Sequence, residues 1–255
     1  MISGQVINSI IKYANLSKDD TVLEIGPGIG FVTEKAAPKV KRLIAVEIDK
    51  DAIDVLSDLP FNNIDIINKD ILQTDFSLLT DERIKIIANI PYYITSPILV
   101  HLLGEIDEQT NKNRILISEI ILMVQYEVAK RIVATNESRA KDYGLLSILC
   151  NFWAETEVLE KVPASAFYPK PKVDSALVRL RVRETPLFKL DDPKKFRRVI
   201  KGAFAMRRKT LVNSLSSSGF SKERIKSALM ELGFSENIRA ENLSIEDFKN
   251  LAQKL

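Results

Sequence analysis

One cysteine and one histidine are all that the 255 residues contain of those two types. A single cysteine rules out a disulfide framework within the chain, which suits a reducing compartment. The scarcity of both residues argues against a His/Cys metal centre and against a histidine-based catalytic triad. Cys150 lies in "LLSILCNFW", which reads as core rather than as the setting of a nucleophile. No apolar run approaches the roughly 20 residues a membrane-spanning helix needs. The opening "MISGQVINSIIKYANL" has no basic stretch followed by an apolar one. A soluble, cytoplasmic protein with no bound metal is the expectation. Internal repeats and low-complexity segments are missing too.

What is present is enough for a substantial core: 45% of the residues are hydrophobic, which suits one domain plus a smaller one. The net charge of +3 hides an asymmetry. Residues 185–255 carry 15 Lys+Arg against 8 Asp+Glu, and residues 1–184 carry 22 against 26. An acidic body with a basic tail predicts a polyanionic partner reached through the second part. The plainer alternative is a helical tail with an ordinary charged surface.

Hydrophobic spacing predicts an amphipathic helix over residues 6–16. "TVLEIG", "RLIAVEID", "IDIINKD" and "IKIIANI" read as four strands, and "RILISEIILMVQ" holds a fifth. "FVTEKAA", "KDAIDVLSDL", "SPILVHLLGE" and "YEVAKRIVA" read as intervening helices. "GLLSILCNFWAE" is helix or strand, and "SALVRLRVR" alternates as a late antiparallel strand. Strands alternating with helices predict an α/β domain with a mainly parallel sheet. From about residue 185 the pattern is helical throughout. The expected division is therefore 1–184 and 185–255, with "KKFRRVIKGAFAMRRKTL" as one basic helix.

"LEIGPGIGFVT" places Gly26, Gly28 and Gly30 between the first strand and its helix, where glycines let a ligand approach the backbone. The spacing is G-x-G-x-G. Phe31 stands where the dinucleotide fingerprint has its third glycine, which disfavours a pyrophosphate ligand. Glu47 ends the second strand, placed to accept hydrogen bonds from both hydroxyls of a ribose. Asp70 ends the third strand, placed to accept from an exocyclic amine. Each acid alone could be an ordinary exposed residue at a strand end. Together with the glycines and Asn89, the set favours a nucleoside ligand, and S-adenosylmethionine is the expected one.

"NIPYYITSPI" then suggests the reaction. The exocyclic nitrogen of adenine is a poor nucleophile because its lone pair is delocalised into the ring. Two acceptors aimed at its two N–H groups favour the sp³-like nitrogen of the transition state. The Asn89 side chain and the Ile90 carbonyl are the candidates, with Pro91 restricting Ile90 and Tyr92 stacking on the base. The nucleophile is neutral, so no strong base is required, although the arrangement leaves room for one. A base taken out of its stack wants a plate on each face, and Phe167, in a loop braced by Pro169 and Pro171, is the candidate for the second. Core packing is the alternative for Phe167, and Tyr93 has no assigned part.

These stretches together, with "MVQYEVAKRI", "YGLLSI", "FYPKPKVDSALVRL" and "FAMRRKTLVNSL", closely resemble the ribosomal RNA adenine N6,N6-dimethyltransferase family over about residues 6–255. The resemblance implies a Rossmann-like S-adenosylmethionine-dependent methyltransferase domain with a small all-helical C-terminal domain. It implies methylation of two adjacent adenines near the 3′ end of small-subunit rRNA, and a part in assembly of the immature subunit. It implies cofactor contacts at Gly26, Gly28, Glu47, Ile48, Asp70, Ile71 and Asn89, and an acceptor pocket at Asn89, Pro91, Tyr92 and Phe167. The basic helix is expected on rRNA phosphates through Arg207, Arg208 and Lys209, in a monomer. One departure stands out: "SGQ" runs straight into "VINSII", without the family's Asn-Phe-Leu segment that covers the cofactor. Two alternatives follow, namely the resistance branch that methylates a large-subunit adenine, and a non-catalytic rRNA-binding assembly factor.

Overall fold

The computed structural model describes residues 3–90 and 94–255. The chain divides into two compact units. The first contains Met1–Gly104, Thr110–Lys130 and Ala154–Glu184; the second contains Glu105–Gln109, Arg131–Trp153 and Thr185–Leu255. The helical unit thus takes in two stretches that a simple boundary at residue 185 leaves with the sheet.

Helix α1 (Gly4–Ala14) opens the first unit. The Ser3 hydroxyl caps it by accepting the Val6 N–H, and Asn15 ends it in a left-handed conformation. Strands and helices then alternate: β1 (Thr21–Ile25), α2 (Thr33–Ala36), β2 (Arg42–Glu47), α3 (Lys50–Ser57), β3 (Ile64–Asn68), β4 (Ile84–Asn89), α4 (Thr95–Leu103), α5 (Lys112–Leu116) and β5 (Ile117–Gln125). Helices α6 (Tyr126–Val133) and α7 (Leu145–Trp153) follow, then β6 (Ala154–Val162) and β7 (Ser175–Val182). Among the described residues seven strands form one sheet in the order β3-β2-β1-β4-β5-β7-β6. The first five are parallel, and β7 runs antiparallel between β5 and β6.

The central strands are buried on both faces, as near-continuous Val/Ile/Leu runs require. On one face Val22, Leu43, Ala45, Ile87, Ile121, Met123 and Leu177 pack with Val6, Ile7, Ile10 and Ala14 of α1. Each Val, Leu, Ile or Met side chain among them contributes roughly 1.5–3 kcal/mol by leaving water, and each Ala less. Strand β6 escaped the sequence reading for a physical reason. It is an edge strand with Glu155, Glu157, Glu160 and Lys161 among its nine residues, and charged side chains are how an edge avoids further pairing. A register shift between Val158 and Glu160 also breaks its alternation.

The second unit contains α7, α8 (Pro193–Ala205), α9 (Leu211–Ser217), α10 (Lys222–Glu231) and α11 (Ile245–Lys254). Phe196, Phe204 and Phe248 are buried, with Phe204 lying 5.7 Å from Phe248 and Phe152 of α7 lying 6.0 Å from Phe196 between ring centres. The expected single basic helix is two. Helix α8 ends at Ala205, and Thr210 caps α9 by accepting the Asn213 N–H. Arg207, Arg208 and Lys209 therefore occupy the turn between α8 and α9, not a helix face. Ser214 clasps that turn: its hydroxyl donates towards Gly202 O and Ala203 O at 2.7 and 3.0 Å and accepts the Met206 N–H at 3.1 Å.

Candidate active site

Parallel strands leave a crevice beyond their C-terminal ends where the strand order reverses. Here β1 lies between β2 and β4, and the loops leaving these strands and β3 enclose a cleft of about 570 Å³. Gly26, Gly28, Glu47, Ile48, Asp70, Ile71 and Asn89 all line it, as do Glu24, Lys69 and Ile90. Seven positions spread over residues 26–89 in the sequence are thus gathered at one sheet edge.

The local folding explains the gathering. Gly26 continues the β1 ladder through its N–H to Val46 O at 3.0 Å, and then turns at φ +64°. Gly28 turns again at φ +56°, a left-handed value that favours glycine. An added Cβ at either residue would meet nothing within 4 Å. The glycines therefore serve backbone shape here and leave open space above the loop.

Glu47 is 8% exposed at the end of β2. One carboxylate oxygen accepts the Gly28 N–H at 2.9 Å; the other accepts the Ile48 and Asp49 N–H groups at 2.8 and 3.0 Å. Asn68 steadies the same turn from β3, donating to Glu47 O and Ile48 O. Ile48 itself is 67% exposed. At the end of β3, Asp70 Oδ1 accepts the Leu72 N–H at 2.9 Å, which fixes the side chain at the start of a short 3₁₀ turn. Asn89 closes β4 opposite Met123 and is exposed, while Ile90 is buried.

Glu24 was missed by the sequence reading, which treated "VLEIG" only as a strand. It is 4% exposed, lines the cleft, and its Oε2 accepts the Thr33 hydroxyl at 2.7 Å. Burial pushes its carboxyl up to about 7; the Thr33 hydrogen bond works against this and the neighbouring Glu47 adds to it. An acid inside an otherwise apolar strand was the available signal. Among the described residues, the acidic and basic side chains lining the cleft are then Glu24, Glu47 and Asp70 against Lys69. An excess of acids suits a ligand carrying positive charge better than a pyrophosphate. The Gly28 N–H, which could otherwise meet a phosphate, is already given to Glu47.

Phe167 is not brought into this lining. It follows the 3₁₀ turn Ala164–Ala166, half-buried against the core that includes Val6, Val162 and Leu177. Pro91, Tyr92 and Tyr93 lie outside the described residues. In the helical unit, Arg207 donates to Ala140 O and Tyr143 O at 2.6 and 2.7 Å, so its guanidinium fastens the loop before α7. Arg208 and Lys209 are exposed.

The other scarce residues are structural. His101 Nε2 lies 2.9 Å from Thr74 O and 3.0 Å from the Asn113 side-chain nitrogen. Burial pushes the Cys150 thiol up to about 12, which leaves it inert at neutral pH. Among the described residues no group of His, Cys, Asp or Glu could hold a metal ion. Among the described residues no helix is long and apolar enough to cross a membrane.

The model of the family described as ribosomal RNA adenine dimethylase matches residues 1–255. The chain is 40% identical over 257 residues to the ribosomal RNA small subunit methyltransferase A of Caldanaerobacter subterraneus subsp. tengcongensis, covering 98% of this chain and 92% of that one. Among solved structures it resembles a dimethyladenosine transferase from Plasmodium falciparum, with a TM-score of 0.78, 26% identity, and 98% and 95% of the two chains covered. It also resembles the 23S rRNA methyltransferase ErmE, with a TM-score of 0.70, 28% identity, and 99% and 98% covered.

Proposed function

The chain belongs to the ribosomal RNA adenine dimethylase family, and from that premise we propose that it methylates N6 of two adjacent adenines in the 3′-terminal hairpin of small-subunit rRNA. The donor is S-adenosylmethionine. The immature small subunit is the substrate particle, the enzyme acts in the cytoplasm as a monomer, and its binding also serves subunit assembly. The observation that carries the reading is the cleft itself, which sets two strand-end acids, a glycine loop and Asn89 around one space with an excess of negative charge.

The lining fits the donor. When bound, S-adenosylmethionine supplies a methyl group activated by its positively charged sulfonium. Gly26 and Gly28 allow close approach of the main chain. Glu47 accepts from ribose hydroxyls, held in place by the three main-chain N–H groups that already orient it. Asp70 accepts from the exocyclic amine of the donor's own base, with Oδ1 committed to Leu72. Ile48 and Ile71 supply apolar walls to that base. On the acceptor side, Asn89 and the Ile90 carbonyl take the two N–H groups of the target N6, which turns its lone pair towards the methyl. Pro91 braces Ile90, and Tyr92 and Phe167 are the plates for the target base. In the helical unit Arg208 and Lys209 contact rRNA phosphates, and Arg207 holds the turn that presents them.

The direct test is incubation with immature small subunits and isotopically labelled donor, followed by mass mapping of the rRNA. Label on two adjacent adenines near the 3′ end is expected. Label on a large-subunit adenine instead would move the protein to the function named for ErmE. Asn89→Ala should reduce methyl transfer by at least a hundredfold, on the order of the loss of one preorganised hydrogen-bonding group, with the unfolding midpoint unchanged. Turnover close to wild type would remove Asn89 from the mechanism.

A further inference from the structure

The cations of the helical unit are of two kinds. Several have carboxylate partners: Arg197 with Glu105 and Asp107, Lys226 with Glu236, and Lys254 with Glu231. Arg207 is given to main-chain carbonyls. Lys194, Lys195, Arg198 and Arg224 differ. They line one concavity of about 530 Å³ with Asp192, Gly219, Phe220, Ser221 and Leu255. Among the described residues none of the four forms an ion pair with a carboxylate. Asp192 is the one acidic side chain in the lining, and its Oδ1 is occupied in capping α8 by accepting the Lys195 N–H at 2.9 Å. Four cations against one acid leave a net +3, and a carboxylate at Leu255 would still leave +2.

The fold builds this cluster from separate pieces of sequence. Three of the cations come from the first turns of α8, and Arg224 comes from the first turn of α10. The turn at Gly219, with φ +87°, swings Phe220 and Ser221 into the wall between them. Arg198 is held in place: its guanidinium lies 4.3 Å from the centre of the Phe220 ring and donates to Gly219 O at 3.4 Å. A planar guanidinium fixed in this way is preorganised to grip a phosphate. The N-cap residues of both helices, Asp192 and Ser221, line the same space, and the partial positive charge of a helix start adds to the attraction.

We infer that this concavity is a second rRNA-docking site, which seats a backbone phosphate between the starts of α8 and α10. It is distinct from the turn carrying Arg208 and Lys209. The inference rests on the rRNA-binding reading above and extends it. Like charges gathered in a concave site repel one another, and an anion relieves that cost. A phosphodiester suits the cluster better than an acidic peptide, because the fixed Arg198 plane and the flexible lysines can grip several oxygens of one group.

The test compares the full chain with Lys194→Ala/Lys195→Ala/Arg224→Ala, using Arg208→Ala/Lys209→Ala as a reference. Affinity for immature small subunits is measured from about 50 to 200 mM salt. The triple variant should bind roughly tenfold more weakly at about 100 mM, with a log–log salt slope shallower by about 1. Urea unfolding followed by circular dichroism should give the wild-type midpoint in both variants, as a control for folding. In wild type, Lys194 and Lys195 should be protected from acylation by the bound particle but not by an acidic peptide. An unchanged slope with unprotected lysines would overturn the inference while leaving the rRNA-binding reading intact. A wild-type chain that does not bind the particle would overturn that reading instead. Protection by the acidic peptide, with rRNA binding unaffected, would assign the site to a protein partner and also overturn the inference.

Discussion

Glu24 is a buried acid whose charge state bears on stability. An unfolded glutamate titrates near 4.5, and here burial raises the folded value to about 7. Below the lower value both states hold the proton and the fold is not penalised. Between the two only the folded state holds it, so stability falls as pH rises. Above about 7 the loss is complete, at about 3 kcal/mol for a shift of this size. Glu24→Gln keeps an acceptor for the Thr33 hydroxyl and removes the titration. Urea unfolding at pH 5 and pH 8 should show the variant gaining on wild type by about that amount at the higher pH. Parallel behaviour at both pH values would show that Glu24 does not carry the shift. The same scale shows what the sequence revealed and what it hid. Glu47, Asp70 and Asn89 were legible because each ends a recognisable strand. Glu24 was not, because it stands inside one. Arg207 was read as one of three equal cations, and nothing in "MRRKT" could say that its partners are carbonyls some 65 residues earlier.

Secondary structure was most legible where burial was strongest. The five parallel strands announce themselves as Val/Ile runs, and α1 as a helix with Val6, Ile7, Ile10 and Ala14 on one side. The reading failed at β6, whose charges belong to a sheet edge, and at Met206–Thr210, where a single helix was expected. That break depends on a tertiary hydrogen bond, which periodicity does not reveal. Ser214 is fully buried and ties the end of α8 to α9. Ser214→Ala would leave the Met206 N–H without this acceptor. A loss of about 1–3 kcal/mol is expected, read as a lower urea midpoint at unchanged slope. If Ser214→Ala matched wild type, the turn would be held by something other than the clasp.

At the scale of the molecule, charge and covalent order are distributed differently. The basic excess begins near residue 185, but the helical unit also requires Arg131–Trp153. Phe196 packs near Phe152, Phe204 near Tyr143, and Arg207 on the carbonyls of Ala140 and Tyr143. Composition could mark the change of texture but not this earlier contribution. A fragment of residues 185–255 made alone should therefore lack cooperative unfolding, as followed by circular dichroism, and adding residues 131–153 should restore it. A sharp two-state melt of the short fragment would contradict that expectation.

The position of β7 has a consequence in time. It is the last strand in the chain, yet it sits inside the sheet, between β5 and β6. A nascent chain that has completed β5 at Gln125 must wait for Val182 before that edge is covered. At about 5–20 residues per second the wait lasts several seconds. For that interval the apolar β5 has an open ladder, and β6 has no neighbour at all. A protein proposed to act on newly made ribosomal subunits thus has its own most vulnerable moment while a ribosome is still making it.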